Sequence, residues 1–267
     1  QKFFAVREHK KIFTKAWCAY LSLPLSKQRK LAVLSDMKEH ILPHVSAPWH
    51  LADFLTDAFD LGGPFALHAL QGLFVLITEH NLDYPNLYEK LYSLLTVDML
   101  HVGYRSRFLE LLGLIMMSTH LPVSLVASFI KRACRLALVC PSPVTGFLIN
   151  LVYNLVKSHK EAMVLIHRTK AIDFSDSHDD DGPRSRKKLQ KLYEGVDPFN
   201  AEEPDPAKTN ALYSSCWELQ ILLDHLNPGV RHDAQQFKSQ MKAEKVKLDD
   251  AAGRTYLQMF LNTTHRF

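Results

Sequence analysis

The sequence has few glycines, ten in 267 residues, which argues against a β fold because tight hairpin turns favour glycine. Alternation of apolar and polar residues, the pattern of a half-buried strand, is nearly absent. The most apolar stretch, residues 109–117, is followed at once by Ser118, Thr119 and His120. A membrane-spanning helix needs about 20 apolar residues. The sequence therefore predicts neither a β fold nor a contact with a membrane.

Spacings that hold metals or perform catalysis are also missing. The four cysteines, Cys18, Cys134, Cys140 and Cys216, lie apart in apolar contexts without a CxxC pair, and they predict reduced, buried thiols. The fourteen histidines form neither HxH nor HExxH. No GxxxxGK[ST], GxGxxG or GxSxG motif occurs. We predict no metal, no cofactor, no catalytic residue and no small-molecule substrate, and interpret the chain as a binding protein and not an enzyme.

What the sequence does contain is a regular succession of helical patterns. In residues 52–92, apolar side chains recur at three- and four-residue steps on both sides of the turn HNLDYP. Further helical patterns begin about twenty residues apart, near Gly62, Pro85, Tyr104, Pro122 and Pro143. A helix pair then takes roughly forty residues, the period of HEAT and armadillo repeats. The predicted fold class is all-α, a HEAT/armadillo-like α-solenoid of antiparallel helix pairs.

Turn residues mark where these helices end and begin. The pair Gly62 and Gly63 before Pro64 is interpreted as a helix end and a helix start, and not as a phosphate cradle. The other turn residues with a predicted structural role are His80, Asn81, Tyr84 and Pro85 in the first turn and His120 and Pro122 in a later one.

Two further features were weighed as candidate sites. Asp53, Asp57 and Asp60 share one helix face and could present carboxylates to a base or a metal; a polar face or a partner of the helix dipole is the preferred interpretation. Trp217 lies in a leucine-rich helix and is predicted to pack inward as a core anchor.

Charge alternates in blocks along the chain. Residues 1–44 carry nine Lys or Arg against three acids, residues 45–103 one against seven, and residues 104–170 nine against two. The sharpest basic elements are Arg105 and Arg107 on one helix and Lys131, Arg132 and Arg135 on the next. Apolar residues occupy the other face of the latter helix, so its three cations are predicted to be exposed. A solvated face with ordinary ion pairs is one interpretation, and contact with RNA phosphate or an acidic partner is the other.

A charged segment divides the chain. Residues 173–195 change from acidic to basic without apolar periodicity and are predicted to be disordered, whereas the proline-rich residues 196–211 are predicted to be extended. The predicted organisation is a helical-repeat domain over 1–172, a charged insert over 173–195, and an extended segment with C-terminal helices over 196–267 that pack on the same solenoid. Those helices are predicted over 231–245 and 248–260, although Gly253 costs about 1 kcal/mol relative to alanine. The absence of a starting methionine is interpreted as the mark of a longer protein.

A family resemblance rests on several motifs in a fixed order. They are DFLTDAFDLGG, LITEHNLDYPNLYEKLY, YRSRFLELL, STHLPVSLVASFIKR, LVYNLVKSH, DPFNAEEPDPAKTNA and SSCWEL. Together they resemble the CCAAT-binding-factor-type domain of the nucleolar complex proteins, over roughly residues 21–256. The resemblance implies a helical-repeat fold without an active site.

The resemblance also implies a function. It implies a non-enzymatic assembly factor of the 40S ribosomal subunit, located in the nucleolus of the nucleus and acting in pre-rRNA processing. The implied partners are nucleolar protein 14, other proteins of the small-subunit processome, and pre-rRNA contacted directly or through those proteins. Two alternatives stay open, namely a direct pre-rRNA binder that uses the five cations and an importin-like transport adaptor.

Overall fold

The structure is a computed structural model that describes residues 6–82, 84, 86–118, 120–167, 196–238, 241 and 244–264. Over these ranges the chain is helical or irregular and contains no strand, which confirms the all-α class. None of the helices in the described ranges has the length and apolarity that a bilayer crossing requires. The chain divides into two compact units, Gln1–Leu87 and Tyr88–Phe267. The predicted insert 173–195, and the domain boundaries placed at its ends, lie outside the described residues.

The first unit contains four α-helices. They are α1 (Val6–Leu21), α2 (Lys27–Asp36), α3 (Ala52–Asp60) and α4 (Gly63–His80), with a π-helix at Met37–Ile41 and 3-10 turns at Leu42–His44 and Pro48–Leu51 between α2 and α3. Helices α3 and α4 pack closely because Gly72 of α4 has no side chain: a Cβ there would lie 2.9 Å from a methyl group of Leu55. The core of this unit therefore forms around α4.

Glycine and asparagine end the helices of the first unit as the sequence predicts. Gly62 and Gly63 have φ of 72° and 56°, in the left-handed region that favours glycine, and they separate α3 from α4. Asn81, with φ of 50°, closes α4 directly after His80. Pro85 of the same turn lies outside the described residues.

The three aspartates of α3 form a polar face. Asp53, Asp57 and Asp60 are exposed, whereas Leu55 and Phe59 of the same helix are buried. The arrangement is that of an amphipathic surface helix.

The second unit contains the remaining helices of the described chain. They are α5 (Leu87–Leu94), α6 (Val97–His101), α7 (Arg105–Met116), α8 (Val123–Ala137), α9 (Ser142–Ser158), α10 (Glu218–Leu222), α11 (Pro228–Gln235), α12 (Asp249–Ala252) and α13 (Tyr256–Thr264), with 3-10 helices at Lys160–Leu165 and Ala211–Tyr213. Helices α4, α5, α7, α8 and α9 begin within two residues of the predicted starts. The turn residues of the sequence therefore gave the helix spacing correctly.

Helix α9 is the centre of the second unit. Every residue from Pro143 to Val156 is buried, since α8 packs on one part of the helix and α11, α12 and α13 pack on others. The side-chain amide of Asn154 forms two hydrogen bonds with the backbone of Val246, at 2.7 and 2.8 Å. A buried polar group on α9 thus fixes the position of the chain that leads into α12.

Residues 196–217, called here the return segment, pass over α8 in bends, turns and the 3-10 helix Ala211–Tyr213, and the amide of Asn200 donates to the carbonyl of Thr209 over 2.9 Å. The prediction that residues 196–211 are extended was therefore wrong. The hydroxyl of Ser128 on α8 donates to the carbonyl of Pro206 and lies 2.5 Å from the hydroxyl of Thr209. At its end, the amide of Cys216 donates to the carbonyl of Leu165 over 2.8 Å. The return segment therefore covers the face of α8 that the sequence predicts to be solvated.

The predicted C-terminal helices 231–245 and 248–260 were wrong in their bounds. Helix α11 begins earlier, at Pro228, because the Asn227 side chain accepts from the amides of Gly229 and Val230, and proline suits the first helical position. The second predicted helix is divided at Gly253 into α12 and α13. Helix α13 starts afresh because Thr255 and Gln258 each accept a hydrogen bond from the other's amide, a reciprocal capping box.

Candidate interaction site

The prediction that Lys131 is exposed was wrong, because its side chain has no exposed surface. The Nζ atom of Lys131 lies 2.7 Å from Oε1 of Glu218 and 2.9 Å from Oδ2 of Asp197. It also donates to the carbonyl of Ser215 over 2.7 Å. A helical wheel places Lys131 opposite the apolar face of α8, but the return segment and α10 cover that side.

Arg135 joins the same group of charges. Its Nη2 lies 2.7 Å from Oδ2 of Asp197 and its Nε lies 3.1 Å from Oε1 of Glu218. The Arg135 side chain is 38% exposed, so it closes the group on the solvent side. Lys131, Arg135, Asp197 and Glu218 form what we call the charge cluster, in which two positive charges are balanced by two negative ones.

The prediction that Trp217 packs inward as a core anchor was also wrong, because the residue is 42% exposed. Its indole N–H donates to Oδ2 of Asp197 over 3.1 Å. The ring centroid lies 5.1 Å from Nζ of Lys131 and 5.7 Å from the guanidinium carbon of Arg135, which are cation–π distances. Trp217 therefore lies at the edge of the charge cluster and contacts three of its members.

The contacts of Asp197 favour its ionised form. Burial alone would raise the pKa of Asp197, but hydrogen bonds from Ser214, Lys131, Trp217 and Arg135 together outweigh it and hold the pKa well below its usual range. The hydroxyl of Ser214 donates to Oδ1 over 2.5 Å. The charge cluster thus ties α8, the return segment and α10 together, and its cations are already neutralised by carboxylates.

Arg132, the third predicted cation of α8, also has partners within the second unit. Its Nε donates to the carbonyl of Leu95 over 2.9 Å, and its guanidinium lies 4.2 Å from the ring centroid of Tyr92. Burial raises the pKa of Tyr92, an effect that Arg132 partly offsets. Arg132 is half-buried and holds α8 against the end of α5.

The other two predicted cations lie elsewhere. Arg105 and Arg107 are in the first turn of α7, with Arg107 exposed and Arg105 half-exposed. Neither makes an ion pair within the described part of the chain. The five predicted contact residues thus divide into three internal side chains and two that are open to a ligand.

Of the turn residues, His120 is exposed and Pro122 directly precedes α8.

A groove of about 380 Å³ lies beside Trp217. Its walls come from the end of the 3-10 helix Lys160–Leu165, from α10 with the residues before it, and from the end of α11. The lining includes Leu165, His167, Cys216, Trp217, Leu219, Leu223, Phe237 and Lys238. Apolar side chains beside the ammonium of Lys238 suit the side chains of a bound protein segment. We call this cavity the Trp217 groove.

Sequence reasoning did not find the Trp217 groove, because its walls are brought together from distant parts of the chain. The available signal was the motif SSCWEL, in which a cysteine, a tryptophan and a glutamate are consecutive. In the structure the cysteine and the glutamate are buried and the tryptophan is half-exposed. Behind the groove, the free thiols of Cys216 and Cys134 share a hydrogen bond. This hydrogen bond and burial raise the pKa of the Cys134 thiol. Within the described ranges, no three His, Cys, Asp or Glu side chains form a group that could hold a metal ion.

Comparisons with known proteins agree with the motifs. The family model described as CBF/Mak21 family matches residues 66–234. The chain is 42% identical to nucleolar complex protein 4 homolog A of Xenopus laevis over 240 residues, which are 90% of this chain and 42% of that protein. It is 38% identical to nucleolar complex protein 4 of Saccharomyces cerevisiae over 244 residues, which are 89% of this chain and 44% of that protein.

A human relative gives the same result. The chain is 37% identical to the nucleolar complex protein 4 homolog of Homo sapiens over 257 residues, which are 96% of this chain and 46% of that protein. The chain thus spans less than half the length of these relatives, whose names point to the nucleolus in the nucleus. The resemblance to the nucleolar complex proteins is confirmed, and the chain belongs to the CBF/Mak21 family.

Proposed function

We propose that this chain is a non-enzymatic helical scaffold for ribosome assembly in the nucleolus. The relatives named nucleolar complex protein 4 support the nucleolar location, and the all-helical fold supports the role of a scaffold. The observation that carries the proposal is the Trp217 groove, in which apolar side chains from three separate segments face a common opening. Such a groove binds apolar anchor residues of a partner, and bound anchors supply most of the energy of a protein interface.

The finer proposal concerns the particle and the partner. We propose that the protein acts in the small-subunit processome, in pre-rRNA processing for the 40S subunit, and that nucleolar protein 14 occupies the Trp217 groove. The even spacing of the helix starts supports a HEAT/armadillo-like stack of helix pairs as the scaffold. Other processome proteins and pre-rRNA would then associate through this complex.

The test uses a matched pair of leucines. Leu223 lines the groove and is half-buried, whereas Leu226 is 93% exposed and does not line it. In cells that carry the full-length protein, Leu223→Asp should reduce co-purification of nucleolar protein 14 and small-subunit precursor RNA by about tenfold or more. Leu226→Asp should leave both at the wild-type level.

A second groove variant separates binding from folding. Lys238 is exposed at the groove edge, so Lys238→Glu should keep the far-UV circular dichroism spectrum and weaken co-purification. If both groove variants keep the partner at wild-type levels, the groove assignment is wrong. If the partner stays and only the precursor RNA is lost, RNA contacts the groove directly.

Direct binding of pre-rRNA is the second candidate function, favoured by Arg105 and Arg107, which make no ion pair with the residues that the structure describes. Each phosphate contact adds about 0.7–0.9 to the slope of log K against log salt concentration. The double variant Arg105→Ala, Arg107→Ala should therefore lower that slope by about 1–2 for a pre-rRNA fragment. The control is Lys208→Ala, whose ammonium is exposed and paired with Asp205 at 2.8 Å. Equal slopes for wild type and the double variant would refute direct binding through α7.

An importin-like transport adaptor would share the helical fold. Within the described chain, no observation favours this alternative over a ribosome-assembly scaffold. If the wild-type protein binds nucleolar protein 14 through the Trp217 groove, transport of a cargo is excluded as the function of that groove.

A further inference from the structure

Helix α1 of the first unit leaves part of its apolar surface exposed. Thr14 is the only buried residue among its 16 residues, and Val6 and Ile12 are 69% and 65% exposed. Helices of globular proteins obtain most of their stability by packing an apolar stripe on a neighbour. The apolar stripe of α1 is thus available to a ligand.

Polar contacts nevertheless hold α1 in one place. The hydroxyl of Thr14 accepts from the amide of Ser46 over 2.8 Å, and Nζ of Lys10 donates to the carbonyl of Pro43 over 3.0 Å. The ring of Phe13 meets the ring of His44 edge to face, with centroids 6.2 Å apart. These contacts leave a groove of about 520 Å³ between α1 and the turn Leu42–His44, which we call the α1 groove.

The α1 groove combines apolar walls with a basic surround. Val6, Ile12, Phe13 and Ala16 contribute the apolar lining, and Lys10 and His44 lie at its polar edges. No acid is among the described residues that line the groove, and outside that lining α1 carries Arg7, Lys11 and Lys15 against the single acid Glu8. Lys11 and Glu8 form an exposed pair at 3.0 Å, which leaves the other cations in excess.

We propose that the α1 groove binds an acidic amphipathic helix from a partner protein. Apolar side chains of that helix, three and four residues apart, would cover Val6 and Ile12. Its carboxylates would face the cations of α1, which steer an acidic ligand toward the groove and fix its orientation. The α1 groove belongs to the first unit, so it does not depend on the function proposed for the Trp217 groove of the second unit.

The shape and polarity of the α1 groove favour a protein helix over other anionic ligands. RNA phosphates would use the cations but would leave Val6 and Ile12 exposed to water. A lipid surface takes up a protruding apolar face, whereas His44 closes one side of the apolar face here by contact with Phe13. Only a ligand with both apolar side chains and carboxylates satisfies the whole site.

The test is fluorescence anisotropy with the full chain and three labelled peptides of about 18 residues, long enough to form helix. In the first, leucine recurs every three or four residues and glutamate fills the other positions; in the second lysine replaces glutamate, and in the third serine replaces leucine. We expect the first peptide to bind at least about tenfold more tightly than the other two. Its binding should also slow hydrogen exchange of the α1 amides.

A matched pair of variants tests the location. Ile12→Asp should weaken the first peptide by about tenfold or more, whereas Leu23→Asp should not, since Leu23 is 57% exposed and lies outside the groove. Equal binding of the glutamate and lysine peptides, or equal effects of the two substitutions, would overturn the proposal. Displacement of the peptide by oligouridylate with the same affinity in wild type and Ile12→Asp would assign the cations to RNA. Binding to phosphatidylserine vesicles in place of the peptide would assign them to lipid.

Discussion

Replacement of Lys131 by methionine removes one ammonium from the charge cluster and keeps the length of the side chain. Glu218 has no exposed surface, and its Oε2 has no hydrogen-bond partner in the described structure. The carboxylate therefore depends on Lys131 and Arg135 for compensation. Arg135 alone is a weaker substitute, because its Nε lies 3.1 Å from Oε1 whereas the lysine Nζ lies 2.7 Å away.

The expected loss follows from the burial of this pair. Removal of one partner from a buried ion pair costs about 3–5 kcal/mol, since the other charge is left uncompensated. Arg135 keeps part of the compensation, so we expect about 3 kcal/mol for Lys131→Met. With a urea m-value of about 2 kcal/mol/M, the midpoint should fall by about 1.5 M. The control is Lys208→Met, because the exposed Lys208–Asp205 pair lies in the same unit and exposed pairs contribute little to stability.

The measurement follows the fluorescence of Trp217 in urea, in a background with Trp17→Phe and Trp49→Phe, so that the signal reports the second unit. A second variant, Lys131→Met with Glu218→Gln, removes the stranded charge as well. It should be more stable than Lys131→Met alone. If Lys131→Met costs no more than Lys208→Met, or if the two cluster substitutions simply add, the cluster is not a desolvated unit and the reasoning fails.

Four further predictions concern pH, thiol reactivity, packing and the entropy of the unfolded chain. The pKa of Asp197 is lower in the folded protein than in the unfolded chain. The stability that ionised Asp197 adds to the fold is therefore complete above about pH 4 and is lost as the pH falls further. The urea midpoints of wild type and Asp197→Asn should converge in acid. Burial raises the pKa of Cys140 to about 11, so iodoacetamide at pH 8 should label the half-buried Cys18 first, as mass spectrometry can show. Gly72→Ala should destabilise the first unit by about 1–3 kcal/mol, because the new Cβ lies 2.9 Å from a neighbouring methyl group. Gly253→Ala, where nothing lies within 4 Å, should instead stabilise the protein by up to about 1 kcal/mol in the same unfolding assay.

The helices could be predicted because their signals are local. Gly62 and Asn81 lie in left-handed conformations at helix ends, and their residue types alone mark those positions. The capping box of Thr255 and Gln258 is equally local, so the division at Gly253 was within reach of the sequence. The starts of α11 and α13 were wrong because such signals, at Asn227 and Thr255, were overlooked.

The charge cluster could not be predicted, because its members are far apart in the chain. Lys131 and Glu218 are 87 residues apart, and Arg135 and Asp197 are 62 apart. Helical periodicity separates an apolar face from a polar face, but it does not distinguish a polar face in water from one that meets carboxylates of another segment. Trp217 was assigned to the core for a related reason, since its place is set by Asp197 and by the cations and not by its own helix.

The wide separation of Lys131 and Glu218 has a consequence for synthesis of the protein. Helix α8 leaves the ribosome well before the carboxylate that neutralises its lysine, 87 residues later. At about 5–20 residues per second, that interval lasts roughly 4–17 s. During this time the nascent chain presents the ammonium of Lys131 without Glu218, and the second unit cannot reach its final packing. Its completion therefore waits for translation of α10.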